Sequence, residues 1–198
     1  MLSRLKRDFP DTALTGSELF DTGLGYARQR LPGVELLQMD ARALPYASEF
    51  DGIGAFDVLE HIAEDERVLS ELHRALRPGG HVVLSVPQHP ALWSLADEIA
   101  CHERRYSRGE LEGKLRRAGF EVVMSTSFVT ILLPLMFAVR MSDRNRRALE
   151  KDPTAEHRMH PLVNRVLRAT MTLELALIRL GLRMPAGGSR LVVARKSA

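Results

Sequence analysis

Strand-like and helix-like segments alternate along the first 125 residues, and this alternation is the strongest constraint on the fold. The short apolar segments typical of strands are residues 34–39, 50–56, 81–86 and 120–124. The segments with helical spacing are residues 2–9, 23–31, 64–76 and 107–118, and residues 12–20 are a further extended segment. Such alternation predicts an α/β fold, in which helices flank a mostly parallel sheet.

Local signals predict where some of these elements end. Pro10 stops the first helix, and the sequence Pro78-Gly79-Gly80 is expected to stop the helix at 64–76. Ser107 followed by Glu110 has the spacing of a capping box, which predicts that the helix at 107–118 begins at Ser107.

Length and cysteine content limit the kind of protein. A chain of 198 residues with 45% apolar residues can bury one proper core. The single cysteine, Cys101, excludes a disulfide framework and a cysteine-based zinc site. The first residues show no basic start followed by an apolar run, so we expect a cytoplasmic protein.

The last third of the chain has a different pattern. Residues 128–139 are strongly apolar but contain Pro134, and they fall short of the ~20 residues that a bilayer span needs. Residues 161–183 have the pattern of an amphipathic helix, and residues 191–194 predict a final strand. We therefore expect one domain over residues 1–198. It comprises a core at 1–127, a helical cap or substrate region at 128–186 and a closing strand at 187–198.

Charge is unevenly distributed along the chain. Residues 1–100 carry 9 basic and 16 acidic side chains, whereas residues 101–198 carry 19 basic and 9 acidic ones. In the amphipathic segment, four arginines fall within a sector of about 60°: Arg165, Arg168, Arg179 and Arg183. Glu174 lies on the opposite, apolar side, where we expect it to pair with an arginine.

This basic half is compatible with a solvated surface, an anionic substrate or a membrane surface. Nucleic acid is disfavoured as a partner, because aromatic residues make up only 6% of the chain and no stacking motif is present.

Two acids lie where predicted strands end. Glu18 and Asp40 each follow an extended segment, and ligands of parallel sheets bind outside the carboxyl ends of the strands. A carboxylate in such a position can accept the two hydroxyls of a ribose or the amino group of adenine. A solvated strand-end acid is the alternative for each residue taken alone.

Longer motifs carry a family resemblance. Residues 57–62 read Asp-Val-Leu-Glu-His-Ile, residues 76–80 read Leu-Arg-Pro-Gly-Gly, and residues 104–107 read Arg-Arg-Tyr-Ser before Ala-Gly-Phe at 118–120. Together with Asp40, this set resembles the class I S-adenosylmethionine-dependent methyltransferases of the type 11 and type 12 groups. The resemblance covers residues 12–125 and the closing strand, and it implies a Rossmann-like sheet.

The resemblance also implies roles for individual residues. Glu18 matches the acid that holds the ribose hydroxyls of S-adenosylmethionine, and Asp40 matches the acid that faces the adenine amino group, with Ala41 beside it. Phe56 lies where backbone and side chain flank the cofactor. The alternative for Phe56 is a core aromatic.

One part of the family pattern is missing before Glu18. The family begins with a strand, a Gly-x-Gly-x-Gly loop and a helix, and no such loop precedes Glu18. Gly23-Leu24-Gly25 follows the ribose acid and opens the next helix, so it is not a substitute. We therefore expect a fold whose first strand is missing, through an upstream start codon, a truncated gene product, or a gap that another segment or subunit fills.

Catalysis of methyl transfer draws attention to His61, His102 and Tyr106. A general base helps when the acceptor is a hydroxyl, and these side chains follow the predicted strands. His61 could instead stabilise its own loop, and residues 102–106 could be an ordinary loop. We predict no metal, because neither His102-Glu103 nor His157 with His160 offers a full ligand set.

The sequence thus predicts an S-adenosylmethionine-dependent methyltransferase that acts on a small or amphipathic molecule such as a lipid or quinone. Peripheral membrane contact is part of this expectation, and the oligomeric state is left open. The alternative is a non-catalytic remnant or binding subunit that keeps the fold without competent cofactor binding.

Overall fold

The computed structural model describes residues 2–140 and 161–197, and the chain forms two compact units, residues 1–46 and residues 47–198. His157, His160 and the rest of residues 141–160 lie outside the described part.

The first unit is a two-stranded parallel sheet with two helices. Its elements are α1 (Leu2–Asp8), β1 (Thr15–Glu18), α2 (Asp21–Arg30) and β2 (Glu35–Gln38). The register pairs Thr15 with Glu35 and Glu18 with Gln38, so both strands end at the same edge. Helix α2 contains Gly23 and Gly25, as the sequence predicts.

The second unit holds the larger sheet. Its strands are β3 (Phe50–Phe56), β4 (Leu76–Pro87), β5 (Phe120–Phe128) and β6 (Ser189–Lys196). Its helices are α3 (Asp65–Ala75), α4 (Leu95–Ile99), α5 (Glu110–Arg117), α6 (Leu133–Arg140) and α7 (Pro161–Arg179).

The strand order in this sheet is β3-β4-β6-β5. Strand β3 runs parallel to β4, and β6 runs antiparallel to both β4 and β5. Strands β3, β4 and β5 therefore point the same way, which confirms the mostly parallel α/β architecture. The loops that follow these three strands share one edge of the sheet.

An apolar face of α3 supports this sheet. Val68, Leu69 and Leu72 are buried, and Leu76 at the start of β4 is fully buried as well. These are the four residues that the helical spacing assigns to one face. Burying such side chains contributes roughly 1.5–3 kcal/mol each, which favours the docked helix.

Two helix boundaries differ from the predicted ones. Helix α3 ends at Ala75, one residue before the predicted end at 76, because Leu76 already pairs with Phe50 in the sheet. Arg77, which precedes a proline, is biased towards the extended conformation that β4 requires.

The second difference concerns Ser107. The Ser107 amide donates to the Glu110 carboxylate at 3.0 Å, as in one half of a capping box, and the Ser107 hydroxyl donates to the same carboxylate at 2.9 Å. Helix α5 nevertheless begins at Glu110, because Gly109 adopts a left-handed φ of 79° that a helix cannot continue through.

The C-terminal segment also departs from expectation at Glu174. This carboxylate on α7 is fully buried, and its oxygens accept hydrogen bonds from the backbone amides of Thr130 (2.9 and 3.1 Å) and Ile131 (3.2 Å). Among the described residues no arginine pairs with Glu174, contrary to the prediction, because these amides before α6 already satisfy the carboxylate. Residue 128 belongs to β5, so the apolar segment becomes helical only from Leu133.

No helix among the described residues is long and apolar enough to cross a bilayer.

Candidate active site

A buried carboxylate, Asp97, organises the loops at the carboxyl edge of the larger sheet. It lies on α4, is 1% exposed, and accepts the Ser94 amide at 2.9 Å in a capping box. Arg105 donates to the same carboxylate at 2.7 Å and to the Gln88 carbonyl oxygen at 3.2 Å. His102 Nδ1 lies 2.9 Å from Asp97 Oδ1. One acid thereby connects α4 to the loop at 102–106 and to the end of β4.

Two of the predicted catalytic residues meet beside this network. His61 ends a 3₁₀ turn at Leu59–His61 that follows β3, and its ring packs edge-on against that of His102 with centroids 4.7 Å apart. His61 is exposed, while His102 is half-buried. The pair is thus accessible from solvent, and Asp97 orients His102.

Glu60 lies next to this histidine pair. It is 1% exposed, and its Oε2 has no hydrogen-bond partner among the described residues. Burial raises the pKa of Glu60 to about 7, with a further contribution from the charge of Asp57. The backbone carbonyl of Glu60 accepts the Glu103 amide at 2.7 Å, which ties the turn to the loop that carries His102.

Tyr106 occupies a different environment. It is 1% exposed, and its hydroxyl donates to Asp65 Oδ2 at 2.7 Å. Lys114 also bonds Asp65 and lies over the tyrosine ring at 5.2 Å. Burial and the bond to Asp65 raise the pKa of Tyr106. Its predicted catalytic role stays a prediction, and these contacts favour a structural one.

Asp65 is held as an anion in this cluster. Burial alone would raise the pKa of Asp65, but the bonds from Lys114 and Tyr106 outweigh that effect and lower it. Because Asp65 begins α3 and Lys114 lies on α5, the cluster joins two helices of the second unit.

An open depression of about 390 Å³ lies beside the loop at 102–106. Its lining residues are Pro90, Trp93, Glu103, Arg104 and Arg105. Both guanidinium groups already have protein partners, since Arg104 bonds the Ala63 carbonyl and Asp65 while Arg105 bonds Asp97. The polar side chains at 102–106 are therefore divided between this depression and the buried networks.

In the first unit, the two predicted cofactor acids share one edge of the small sheet. Glu18 ends β1 next to Gln38, and Asp40 follows two residues later. Glu18 is exposed, and its Oε1 accepts the amides of Leu19 and Phe20 at 2.9 and 3.2 Å. Within the described part of the chain Oε2 accepts no hydrogen bond, so this oxygen can still accept a ligand hydroxyl.

Asp40 is held more tightly than Glu18. The Arg42 side chain donates to both of its oxygens at 2.8–3.1 Å, and the Arg42 amide donates to Oδ1 at 2.8 Å. Ala41 lies between them and is half-buried. A carboxylate has about four acceptor positions, and the four contacts from Arg42 already match that number.

Phe56 belongs to the second unit, at the end of β3. Its ring lies over Gly54, where an added Cβ would be 2.6 Å from Phe56 Cε2. The half-buried ring thus depends on a glycine beneath it. The predicted cofactor residues are thus divided between the two units, with Glu18 and Asp40 in the first and Phe56 in the second.

Sequence reasoning missed Asp97, Glu60 and Asp65. A signal existed for Asp97, because Ser94 and Asp97 have the spacing of a capping box. Glu60 lies inside the Asp-Val-Leu-Glu-His-Ile motif, but only the folded chain shows that its carboxylate is buried. Nothing in the spacing from 65 to 106 indicates the bond between Asp65 and Tyr106.

Comparison with known proteins identifies the family. A family model described as "Methyltransferase domain" matches residues 1–84. The phthiotriol/phenolphthiotriol dimycocerosates methyltransferase 1 of Mycobacterium ulcerans is 30% identical over 148 residues, which cover 72% of this chain and 54% of that protein. These matches support the assignment of the chain to the class I S-adenosylmethionine-dependent methyltransferases.

Other methyltransferases share this relationship. The phosphatidylethanolamine N-methyltransferase of Cereibacter sphaeroides is 39% identical over 79 residues, which cover 36% of this chain and 39% of that protein. A solved S-adenosylmethionine-dependent methyltransferase from Mesorhizobium loti matches with a TM-score of 0.62 and 19% identity, over 98% of this chain and 85% of that one. The fold is thus that of the methyltransferases, and the chain spans about half the length of the curated relatives it matches.

S-adenosylmethionine is the cofactor of this methyltransferase family. Two acids of the first unit, Glu18 and Asp40, have a chemistry that fits part of this cofactor. The available Oε2 of the exposed Glu18 suits a hydroxyl donor, and backbone amides fix the other oxygen of the same carboxylate. Asp40 is fixed by Arg42, whose side chain contacts both of its oxygens.

A Tyr106→Phe variant separates the structural role of the hydroxyl from a catalytic one. We expect the free energy of unfolding to fall by about 1–3 kcal/mol, because the buried Asp65 loses a hydrogen bond. Urea denaturation measures this change, and Tyr26→Phe is the control, since Tyr26 is 68% exposed. Unchanged stability with a loss of methyl transfer would instead assign Tyr106 to catalysis.

Proposed function

We propose that the chain transfers a methyl group from S-adenosylmethionine to a small, amphipathic acceptor of lipid-like character. The use of S-adenosylmethionine is supported by the exposed carboxylate of Glu18, which lies at the carboxyl end of β1 and is oriented by two backbone amides. Membership of the methyltransferase family supports the reaction type.

In this proposal each cofactor residue has one role. Glu18 accepts the ribose hydroxyls, Asp40 accepts from the adenine amino group, and Ala41 and Phe56 flank the cofactor. When bound, S-adenosylmethionine supplies an activated methyl group on a sulfonium. The protein then has to align acceptor and methyl group, since proximity and orientation can supply much of the rate.

The histidine pair would handle the acceptor's proton. When the acceptor is a hydroxyl, its oxygen forms the new bond to the methyl carbon as the carbon–sulfur bond breaks, and the hydroxyl proton passes to a base. His61 is exposed and suited to receive it, and His102, fixed by Asp97, lies against its ring.

A second function has an observation in its favour. Arg42 occupies both oxygens of Asp40, as it would in a chain that keeps the fold without competent cofactor binding. Such a chain would be a non-catalytic remnant or a binding subunit. Cofactor binding decides between the two functions.

Calorimetry with S-adenosylmethionine tests the enzyme proposal. We expect saturable binding by the wild type and roughly 10–100-fold weaker binding by Glu18→Gln, because charge-assisted hydrogen bonds of about 1.5–3 kcal/mol are lost. Glu35→Gln is the matched control, since Glu35 lies on β2 at the opposite edge of the same sheet.

Either of two results would contradict this account. Absence of binding at millimolar cofactor would favour the binding subunit. Equal affinities of the Glu18→Gln and Glu35→Gln variants would remove Glu18 from the site.

The proposal of a lipid-like acceptor is based on the surface of α7. Val166 and Leu173 are 64% and 55% exposed. They lie about 80–100° around the helix from the exposed Arg165. Leu175, which is 47% exposed, lies about 20° from the exposed Arg168. Apolar side chains next to cations suit an interface of anionic lipid, where each cation contributes about 1 kcal/mol.

The named substrates of two relatives point the same way. The relatives from Mycobacterium ulcerans and Cereibacter sphaeroides are named as methyltransferases of dimycocerosates and of phosphatidylethanolamine. A chain in the cytoplasm that carries this surface would meet a lipid-linked acceptor by binding to the membrane peripherally.

Co-sedimentation with vesicles tests the membrane contact. We expect binding to phosphatidylglycerol vesicles and not to phosphatidylcholine vesicles, with a loss of more than about tenfold in Arg165→Glu/Arg168→Glu. Arg28→Glu/Arg30→Glu changes the charge equally on an exposed part of α2 and is the control. No sedimentation with anionic vesicles, or equal losses in both double variants, would contradict the proposal.

A further inference from the structure

Three metal-ligand side chains converge at the carboxyl edge of the larger sheet. Glu60, His61 and His102 each offer one ligand atom, and these atoms all lie within 4.8 Å of one another. Atoms that bind one tetrahedral zinc ion lie roughly 3.3–3.6 Å apart, because each is about 2.0–2.2 Å from the metal. Small side-chain movements would therefore bring all three onto one ion.

The orientation of His102 fits such a role. Its Nδ1 lies 2.9 Å from Asp97 Oδ1, which leaves Nε2 to bind an ion. Metal-binding histidines usually bond a carboxylate through their other ring nitrogen, and that partner fixes the tautomer and the ring orientation. Asp97 is itself fixed by Arg105.

Glu60 supplies an independent observation. Its side chain is 1% exposed, yet its Oε2 has no hydrogen-bond partner among the described residues. A buried polar atom without a partner costs about 1–3 kcal/mol, and buried polar atoms are almost always satisfied. A cation between Glu60 and the two imidazoles would satisfy this oxygen.

The cluster is open on one side. His61 is exposed and His102 half-buried, so an ion could enter from solvent past the imidazoles. Two histidines and one carboxylate leave at least one coordination position for water or another oxygen. Imidazole ligands suit zinc, iron, nickel and copper better than magnesium or calcium.

We propose that Glu60, His61 and His102 form a binding site for one divalent transition-metal ion, with Zn²⁺ as its probe. Neither of the pairings considered from the sequence, His102 with Glu103 or His157 with His160, is this set. The three ligands were not apparent in the sequence, because about forty residues separate His61 from His102.

Occupancy would affect the proposed acceptor chemistry. A metal ion uses the same imidazole lone pair that accepts a proton, so His61 cannot serve as a base while it binds the ion. The metal site requires only residues of the second unit, so it can exist whether or not the chain binds S-adenosylmethionine.

Calorimetric titration of the full chain with ZnCl₂ tests the proposal. The background variant is Cys101→Ser, because the exposed thiol beside His102 could bind zinc by itself. We expect one ion per chain and at least about tenfold weaker binding in His61→Ala, His102→Ala and Glu60→Gln. Thermal unfolding without metal checks that each variant is folded.

Two controls measure binding by other histidines. His81→Ala removes an exposed imidazole from β4, and His157→Ala/His160→Ala removes the pair outside the described residues. Both should bind zinc like the background variant. Titration with Co²⁺ adds a spectroscopic signature, since its visible absorption should change in His61→Ala and not in His81→Ala.

Three results would overturn the proposal. The first is the absence of saturable zinc binding up to millimolar concentration. The second is an unchanged zinc affinity in both His61→Ala and His102→Ala, and the third is a loss of zinc binding in His157→Ala/His160→Ala. Failure of the metal site would leave cofactor binding at Glu18 unaffected, so the two proposals fail separately.

Discussion

The buried ion pair of Asp97 and Arg105 is the interaction on which the carboxyl edge of the larger sheet depends. The Asp97 and Arg105 side chains are 1% and 4% exposed, so both charges have been removed from water. Removing either partner of such a pair costs about 3–5 kcal/mol, because the other charge stays buried alone. The pair must therefore form whenever these loops adopt this arrangement.

Further contacts extend this constraint to the candidate site. Arg105 bonds the Gln88 carbonyl, and the Tyr106 amide and carbonyl bond Pro87 and His89, so the loop at 102–106 is fixed against the end of β4. The same loop carries His102 towards His61. A rigid support of this kind is what either a base or a metal ligand needs, since both require a fixed imidazole orientation.

Much of the fold could be predicted from the sequence because its elements follow local rules. Strand β3 has the predicted bounds, and the buried face of α3 matches its helical spacing. The errors arose where tertiary contacts prevailed over local signals. Leu76 pairs with β3 and ends α3 early, and Glu174 is satisfied by amides before α6 instead of an arginine.

The candidate site could be predicted only in part. Within each sheet parallel strands bring their ends to one edge, so the positions of Glu18 and Asp40 in the first unit, and of His61 in the second, followed from the strand assignments. The burial of Glu60 and the contacts of Asp97 depend on chain segments distant in sequence. No short spacing encodes them, and they are the features that give the histidine pair its environment.

Hydrogen exchange of an Asp97→Asn variant, followed by mass spectrometry, tests the central role of this buried carboxylate most directly. The account predicts faster exchange at residues 88–93 and 101–107, with β6 still protected, because Arg105 and His102 lose their shared anion. Unchanged exchange at residues 101–107 would contradict the account, since the loop that carries His102 would then be held in place without Asp97.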